Sequence, residues 1–524
     1  MILKPILHTL TLIFFDSLAR ACYYAIDLNS LRHFMRRLIT VSLLIVLTAC
    51  SRPVEVDPLP ATDAPNTPNV VSAPPMSVDF VSPSPDPTQP APPASTEPYV
   101  VRPGDTLGGI ALEYGTTPEV IARANGLTDV ASIAVGQVLN VPLAGVEQLG
   151  PAMKIAPDGE VVYGPSTIGF NVADFVSRTN GYLRSYTEEV DGETLTGAQI
   201  VQLVAERYSA GPRVLLALIE YRGGWLSNAS PAGTALFYPA GHADERWSGL
   251  HKQLMWVADH LNEGYYGRKT RGKQTILLSD LTRVRIAPGL NAGSIALQSL
   301  LAIDSSPNDW QTDVGSAGFV AIYRAWFGDP FAGATEPLVP SILYQPPWTL
   351  PWPEGQTWYF TGGPHGAWAS GSAWSAIDFV PPDGGVGCYD SQEWVTAIAD
   401  GLVIRSRLGE VLVDLDNDGN EQTGWVVLYM HIGDTDRVKV GMPVRAGDRI
   451  GHPSCEGGYS TATHVHIARR YNGEWIAAAG AYPFAIGGWT PVGMESEYGG
   501  WLEKDGVRKE ACECRDDTRN GIIH

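Results

Sequence analysis

A tract that cannot fold sets the plan of this chain. Residues 51–98 hold fourteen prolines among Ser, Thr and Asp, with a single aromatic, Phe80. So little apolar surface cannot offset the entropy of ordering the segment, and its prolines favour an extended chain. At about 3.1 Å per residue it could reach on the order of 150 Å. Whatever precedes and follows it must therefore be separate units. The rest of the 524 residues suffices for about three domains. A net charge of −20 argues against a nucleic-acid partner, which would require clustered Lys and Arg. Nor does it attract the chain to an anionic surface, so any such affinity must come from specific contacts.

Ahead of the tract, residues 36–50 read RRLITVSLLIVLTAC. Two arginines, a short apolar run and small residues at its end make a signal-peptide plan, and the run is short for a bilayer span. Leu47-Thr48-Ala49-Cys50 resembles a bacterial lipobox, which implies cleavage before Cys50 and a lipid on its sulfur. An ordinary signal peptide or an uncleaved anchor is the alternative. Met35 stands just before this region, so residues 1–49 are read as a leader whose true start is Met35. Residues 50–98 are then a disordered tether, and the protein an extracytoplasmic, membrane-anchored one facing the cell wall.

After the tether comes YVVRPGDTLGGIALEYGTTPEVIARANGL, closing near GQVLNVP. Tyr99–Val101 and Val138–Val141 read as strands. A helix spans about Leu107–Tyr114, and another begins at Pro118 with Thr117 as its cap, carrying Val120, Ile121 and Ala124 on one face. This β-α-α-β pattern over 99–142 resembles a LysM domain, which implies binding to N-acetylglucosamine-containing glycans such as peptidoglycan.

Residues 165–335 carry helical periodicity. Gly211-Pro212 breaks one helix and opens the next, and further helices are expected over Gly249–Leu261, Gly293–Leu301 and Ser316–Trp326. Pro212 to Trp225 is similar to the start of lysozyme-like lytic transglycosylases. That family places its catalytic glutamate where this chain has Arg222, which cannot release a proton near neutral pH. Glu220 lies roughly 200° around the helix from it. The expected domain is all-helical, lysozyme-like and non-catalytic. Trp225, Trp247, Trp256, Tyr265 and Tyr266 are either core residues or the walls of a glycan groove.

The last domain, 353–495, alternates short strands with Gly-rich turns, ahead of an expected C-terminal tail, 496–524. Three stretches hold its candidate chemistry. GGPHGAWASGSAWSAIDFVPP carries His365 and Asp378, GWVVLYMHIGD ends on His431, and TATHVHIARR carries His464 and His466. Residues two apart in a strand share a face, so the last two histidines point into one space. Catalytic zinc takes three His or carboxylate ligands plus a water, and further basic groups can accept that water's proton and stabilise an oxyanion.

The HVH, YMH and IDF segments, with VKVGMPVRAGDRIGHPS, look like LytM- or lysostaphin-type zinc metallopeptidases, which cleave peptide bonds of peptidoglycan. By that resemblance His365, Asp378 and His466 hold Zn2+, while His431 and His464 are non-ligating catalytic residues. The family usually spaces its first histidine and aspartate four apart. Here they are thirteen apart, so Trp368 to Trp374 must form an insertion that returns Asp378 to the site. His452 is read as a turn residue.

DLDNDGNEQTGW resembles half a calcium loop, with Asp414, Asp416 and Asp418 as ligands, but its twelfth position is Trp425. A solvated hairpin tip is the other reading. Cys388 and Cys455 either pair across the domain or stay buried thiols, and Cys512 and Cys514 are left unassigned. The function implied is a lipid-anchored zinc endopeptidase acting on peptidoglycan stems or cross-bridges. The alternative is a wall-binding scaffold or amidase activator with a degenerate peptidase domain.

Overall fold

The computed structural model describes residues 96–524, apart from 103–104, 130–132, 144–145, 147, 384–385 and 495. The leader, Met35, Cys50, the proline tract up to residue 95 and the Pro103-Gly104 turn lie outside the described residues, while Thr96–Pro98, read as the end of the tether, begin a strand. Among the described residues, no helix is long and apolar enough to cross a membrane.

The first module pairs β1 (Thr96–Val100) antiparallel with β2 (Val138–Pro142) and inserts α1 (Leu107–Glu113) and α2 (Pro118–Ala124) between them. The Thr106 and Thr117 hydroxyls accept from Gly109 N and Val120 N, satisfying N–H groups that a helix start leaves free. The face of α2 turned inward is Ile121–Ala122; Val120 and Ala124, expected there, are exposed.

The middle region contains α3 (Gly197–Tyr208), α4 (Pro212–Gly223), α5 (Leu250–Thr270), α6 (Ala292–Asp304), α7 (Pro307–Asp313) and α8 (Phe319–Phe327). Thr196 and Gln199 form a capping box on α3. α5 runs on through Tyr265 and Tyr266 to Thr270. There Gly264 lets α6 approach closely: a Cβ would sit 2.7 Å from Ala296 Cα. The region is not all-helical. Two hairpins, Thr187–Val190 with Glu193–Thr196 and Thr275–Leu277 with Arg283–Arg285, interrupt it.

The last region is an antiparallel sheet of β3 (Thr357–His365), β4 (Ala376–Val380), β5 (Gly401–Arg407), β6 (Glu410–Asp414), β7 (Trp425–Met430), β8 (Pro443–Val444) and β9 (Val465–Tyr471). Beyond it, β10 (Thr490–Gly493), β11 (Gly500–Lys504) and β12 (Val507–Glu510) form a small meander, and β13 (Gly521–Ile523) returns to pair with β3. The large sheet runs β8-β5-β6-β7-β9-β4-β3-β13, with Glu474–Trp475 paired to β9. Residues 496–524 are thus not a tail. They complete the sheet edge, because Ile522 is buried opposite Trp358.

Period two sorts this sheet's side chains into two cores. Val411, Val413, Val427, Tyr429, Val465 and Ile467 face one cluster around Trp352, Trp358 and Phe379. Leu412, Val426, Leu428, Met430 and Ala468 face the other way, into the same core as the helical region. A strand buried on both faces reads as a continuous apolar run, as VVLYM does. Among the described residues two disulfides occur, Cys388–Cys455 with Cα atoms 5.6 Å apart and Cys512–Cys514.

Candidate functional site

His466 on β9 stands directly across from Asp378 on β4. Both lie on the sheet face that also carries Ala376 and Ala468, so their parity directs them toward the helical side. His365 ends β3, where the register with β4 slips between Gly362 and His365 and brings its ring back over the pair. A side chain at Gly362 would collide with the Asp378 carboxylate. His431 follows β7 with a positive φ of 63°, uncommon for a non-glycine residue and frequent at functional sites. Ser454 N and Oγ both donate to its carbonyl.

Three side chains converge. His365 Nε2 lies 3.3 Å and His466 Nδ1 3.2 Å from Asp378 Oδ1, and the two nitrogens are 2.9 Å apart. The outer nitrogens fix the tautomers. His365 Nδ1–H donates to the Gly363 carbonyl at 2.8 Å, and His466 Nε2–H to the Ala367 carbonyl at 3.0 Å. Carbonyls only accept, so each inner nitrogen presents a lone pair, and two lone pairs at 2.9 Å repel unless a cation is shared between them. Asp378 Oδ1 is itself buried without a hydrogen bond. This donor set fits a divalent metal, with carbonyls in the outer shell as histidine ligands require.

Burial opposes charge on every member, and the neighbours decide the outcome. Burial pushes the Asp378 carboxyl up, but the His365 and His464 rings outweigh it and hold the group well below the usual carboxylate range. Burial pushes His365 down, yet Asp378 raises it above its ordinary 6.5. His466 is lowered, chiefly by burial.

The other two histidines stand beside this group. His464 Nδ1–H donates to the Ala462 carbonyl at 2.8 Å, and its Nε2 lies 3.8 Å from Asp378 Oδ1. His431 Nδ1–H donates to the Glu456 carbonyl at 3.0 Å, and its ring centre is 4.4 Å from that of His464. Burial, with His464 and His466 beside it, pushes His431 down to about 3. His452 is elsewhere, packed on Trp394 with Nδ1–H donating to the Glu393 carbonyl.

One wall residue escaped the sequence reading. The Tyr498 ring stacks on His365 with centres 4.2 Å apart and planes 20° from parallel. It lies beyond the expected end of the domain, and no spacing ties it to the histidines. The insertion between His365 and Asp378 forms a loop, 366–375, whose Ala367 supplies the carbonyl to His466.

The remaining candidates resolve differently. Arg222 is locked to Asp313 and Ser305, and Glu220 accepts from Leu226 N and Ser227 N. Trp225, Trp256, Tyr265 and Tyr266 are buried core rather than groove walls. The carboxylates of Asp414, Asp416 and Asp418 lie within 4.8 Å of one another. Their oxygens serve the turn itself: Asp414 accepts from Asp416 N and Gly419 N, and Asp418 from Asn420 N and Thr423 Oγ1. Trp425, at the twelfth position, is core. Nothing there points to calcium.

The antiparallel sheet thus carries a His-Asp-His group able to hold a metal, with two further histidines on its rim. Comparison with known families agrees. The chain carries a LysM domain, matched over residues 99–142, and a peptidase family M23 domain, matched over 382–478. Residues 154–339 match the N-terminal domain of LasA. Protease LasA of Pseudomonas aeruginosa is 28% identical over 292 residues, covering 52% of this chain and 66% of its own length. The chain thus spans just under two thirds of that relative. The beta-lytic metalloendopeptidase of Achromobacter lyticus is 29% identical over 141 residues, 25% of this chain and 35% of its own length. Among solved structures, the M23 metalloprotease pseudoalterin is 26% identical with a TM-score of 0.28, covering 34% of this chain and all of its own.

Proposed function

We propose that this protein is an exported zinc metalloendopeptidase that hydrolyses peptide bonds of peptidoglycan stems or cross-bridges, held to the wall by its LysM domain. The observation carrying this reading is the convergence of His365 Nε2, His466 Nδ1 and Asp378 Oδ1 with both outer nitrogens tied to carbonyls. These three residues would hold the metal. Bound there, zinc would polarise a scissile carbonyl and lower the pKa of a water toward 7.

The chain's own residues do the rest. Gly363 and Ala367 carbonyls keep the two imidazoles in the ligating tautomer. His431, held neutral at physiological pH, offers Nε2 as a proton acceptor. His464, with Nδ1 pinned on Ala462, presents its other nitrogen toward the site, where it would take up or donate the proton that stabilises a developing oxyanion. The name of the relative from Achromobacter lyticus, a metalloendopeptidase, is consistent with this chemistry. A lipid on Cys50 and the proline tether would anchor the enzyme at a membrane and let it work some distance away.

The test is release of soluble muropeptides from purified sacculi. Release that stops with a zinc chelator, returns on adding Zn2+ and shows cleaved peptide bonds by mass spectrometry is expected. Release insensitive to chelator, or products cut only in the glycan, overturns the reading.

A further inference from the structure

The loop that supplies the Ala367 carbonyl to His466 is held by the helical region. Residues 366–375 have no regular secondary structure. Gly371 and Ser372 are held by two residues of the α5 segment, Asp259 at the middle of the helix and Arg271 just past its last residue. Gly371 N donates to Asp259 Oδ1 at 2.7 Å, and Ser370 Oγ donates to Asp259 Oδ2 at 3.3 Å. Arg271 donates to the Ser372 carbonyl at 3.0 Å and the Gly371 carbonyl at 3.2 Å. The approach is close enough that a side chain at Gly371 would collide with the Asp259 carbonyl. On the opposite side Trp368 packs between the Arg207 guanidinium, 5.4 Å from its ring centre, and Tyr208 at the end of α3. Inside the loop, Ser372 Oγ bonds Trp368 N and Ala369 O, and Ala367 N donates to the Ala373 carbonyl. The Asp259–Arg271 clamp is therefore transmitted through a short bonded path to Ala367.

We infer that Asp259 and Arg271 are positioning residues for the metal centre, fixing through this loop the tautomer and aim of His466. The helical region is then a structural part of the metal site and not only a neighbour. The inference rests on the reading of His466 as a ligand. Outer partners of metal-bound histidines typically change affinity 10- to 100-fold when lost. A clamp one step further out is expected near the lower end, about tenfold.

The test uses the full chain. Zn2+ affinity is measured by competition with a chromogenic chelator, and the visible absorption of the Co2+-substituted protein reports ligand geometry. Asp259→Ala and Arg271→Ala each weaken Zn2+ about tenfold and alter the Co2+ spectrum, whereas Asp259→Asn, which keeps an acceptor for Gly371 N, restores both. Arg213→Ala, which breaks a pair with Glu160 inside the helical region away from the loop, matches any general loss of stability and leaves affinity and spectrum unchanged. Should Asp259→Ala bind Zn2+ as the unaltered chain does, or should Arg213→Ala weaken it equally, the clamp has no role. Failure of the unaltered chain to bind Zn2+ or Co2+ would instead overturn the metallopeptidase reading itself.

Discussion

Among the described residues, two triads gather their ligand-type atoms equally closely, and only one is built like a metal site. His365, Asp378 and His466 are all buried, whereas of Asp414, Asp416 and Asp418 only the first is. In the histidine triad the outward atoms are spent on carbonyls and the inward atoms are left bare. In the aspartate triad the loop's own N–H and O–H groups take up the oxygens. The two also neutralise themselves differently. Asp378 stays ionised against its histidines, while Asp416, through partial desolvation of its carboxyl and the Asp414 and Asp418 carboxylates beside it, is pushed up to about 7. What marks a metal centre is donor atoms that nothing else can satisfy, not a count of ligand-type residues.

That contrast can be broken at several points. Asp378→Ala should abolish metal retention and cut muropeptide release by about 10³-fold or more, while Asp414→Asn leaves metal content unaltered; elemental analysis beside turnover decides it. His431→Ala should lower turnover by about 10²- to 10⁴-fold with metal fully retained, since its role is in proton transfer and not ligation. Zinc affinity should fall as pH drops through the raised pKa of His365, because the metal must displace the proton there. The loss begins above pH 6.5 and approaches about tenfold per unit, traceable by competition titration. The smallest effect belongs to the other triad. Asp416 binds its proton more tightly folded than unfolded, so its contribution destabilises the fold as pH rises from about 4 toward 7. Asp416→Asn should stabilise the fold slightly at neutral pH, by about 1 kcal/mol or less given its exposure, and not at pH 4, as denaturant unfolding at the two pH values would show.

Strand periodicity made the shared direction of His464 and His466 legible, and both nitrogens indeed approach Asp378 Oδ1. The second LysM helix was marked by Thr117, since caps are local; Thr106 caps the first in the same way. What stayed hidden was tertiary. VVLYM announces a strand buried twice but not that its second face joins the core of the helical region. The aromatics of the helical region suggested a groove because composition cannot tell a wall from a core. Tyr498 and the Asp259 clamp reach the site through distant chain segments, which no spacing encodes.

The Cys388–Cys455 bridge has a consequence for how the molecule must be made. Cys455 precedes Glu456, whose carbonyl orients His431, and the Cys388 loop is bonded to Thr463, next to His464. One covalent strap thus ties the supports of both rim histidines together. A chain synthesised where thiols stay reduced would carry every residue of the centre yet lack that strap. On the exported reading proposed above, the strap forms once the chain reaches an oxidising compartment, and recombinant chain kept in a reducing cytosol would lack it.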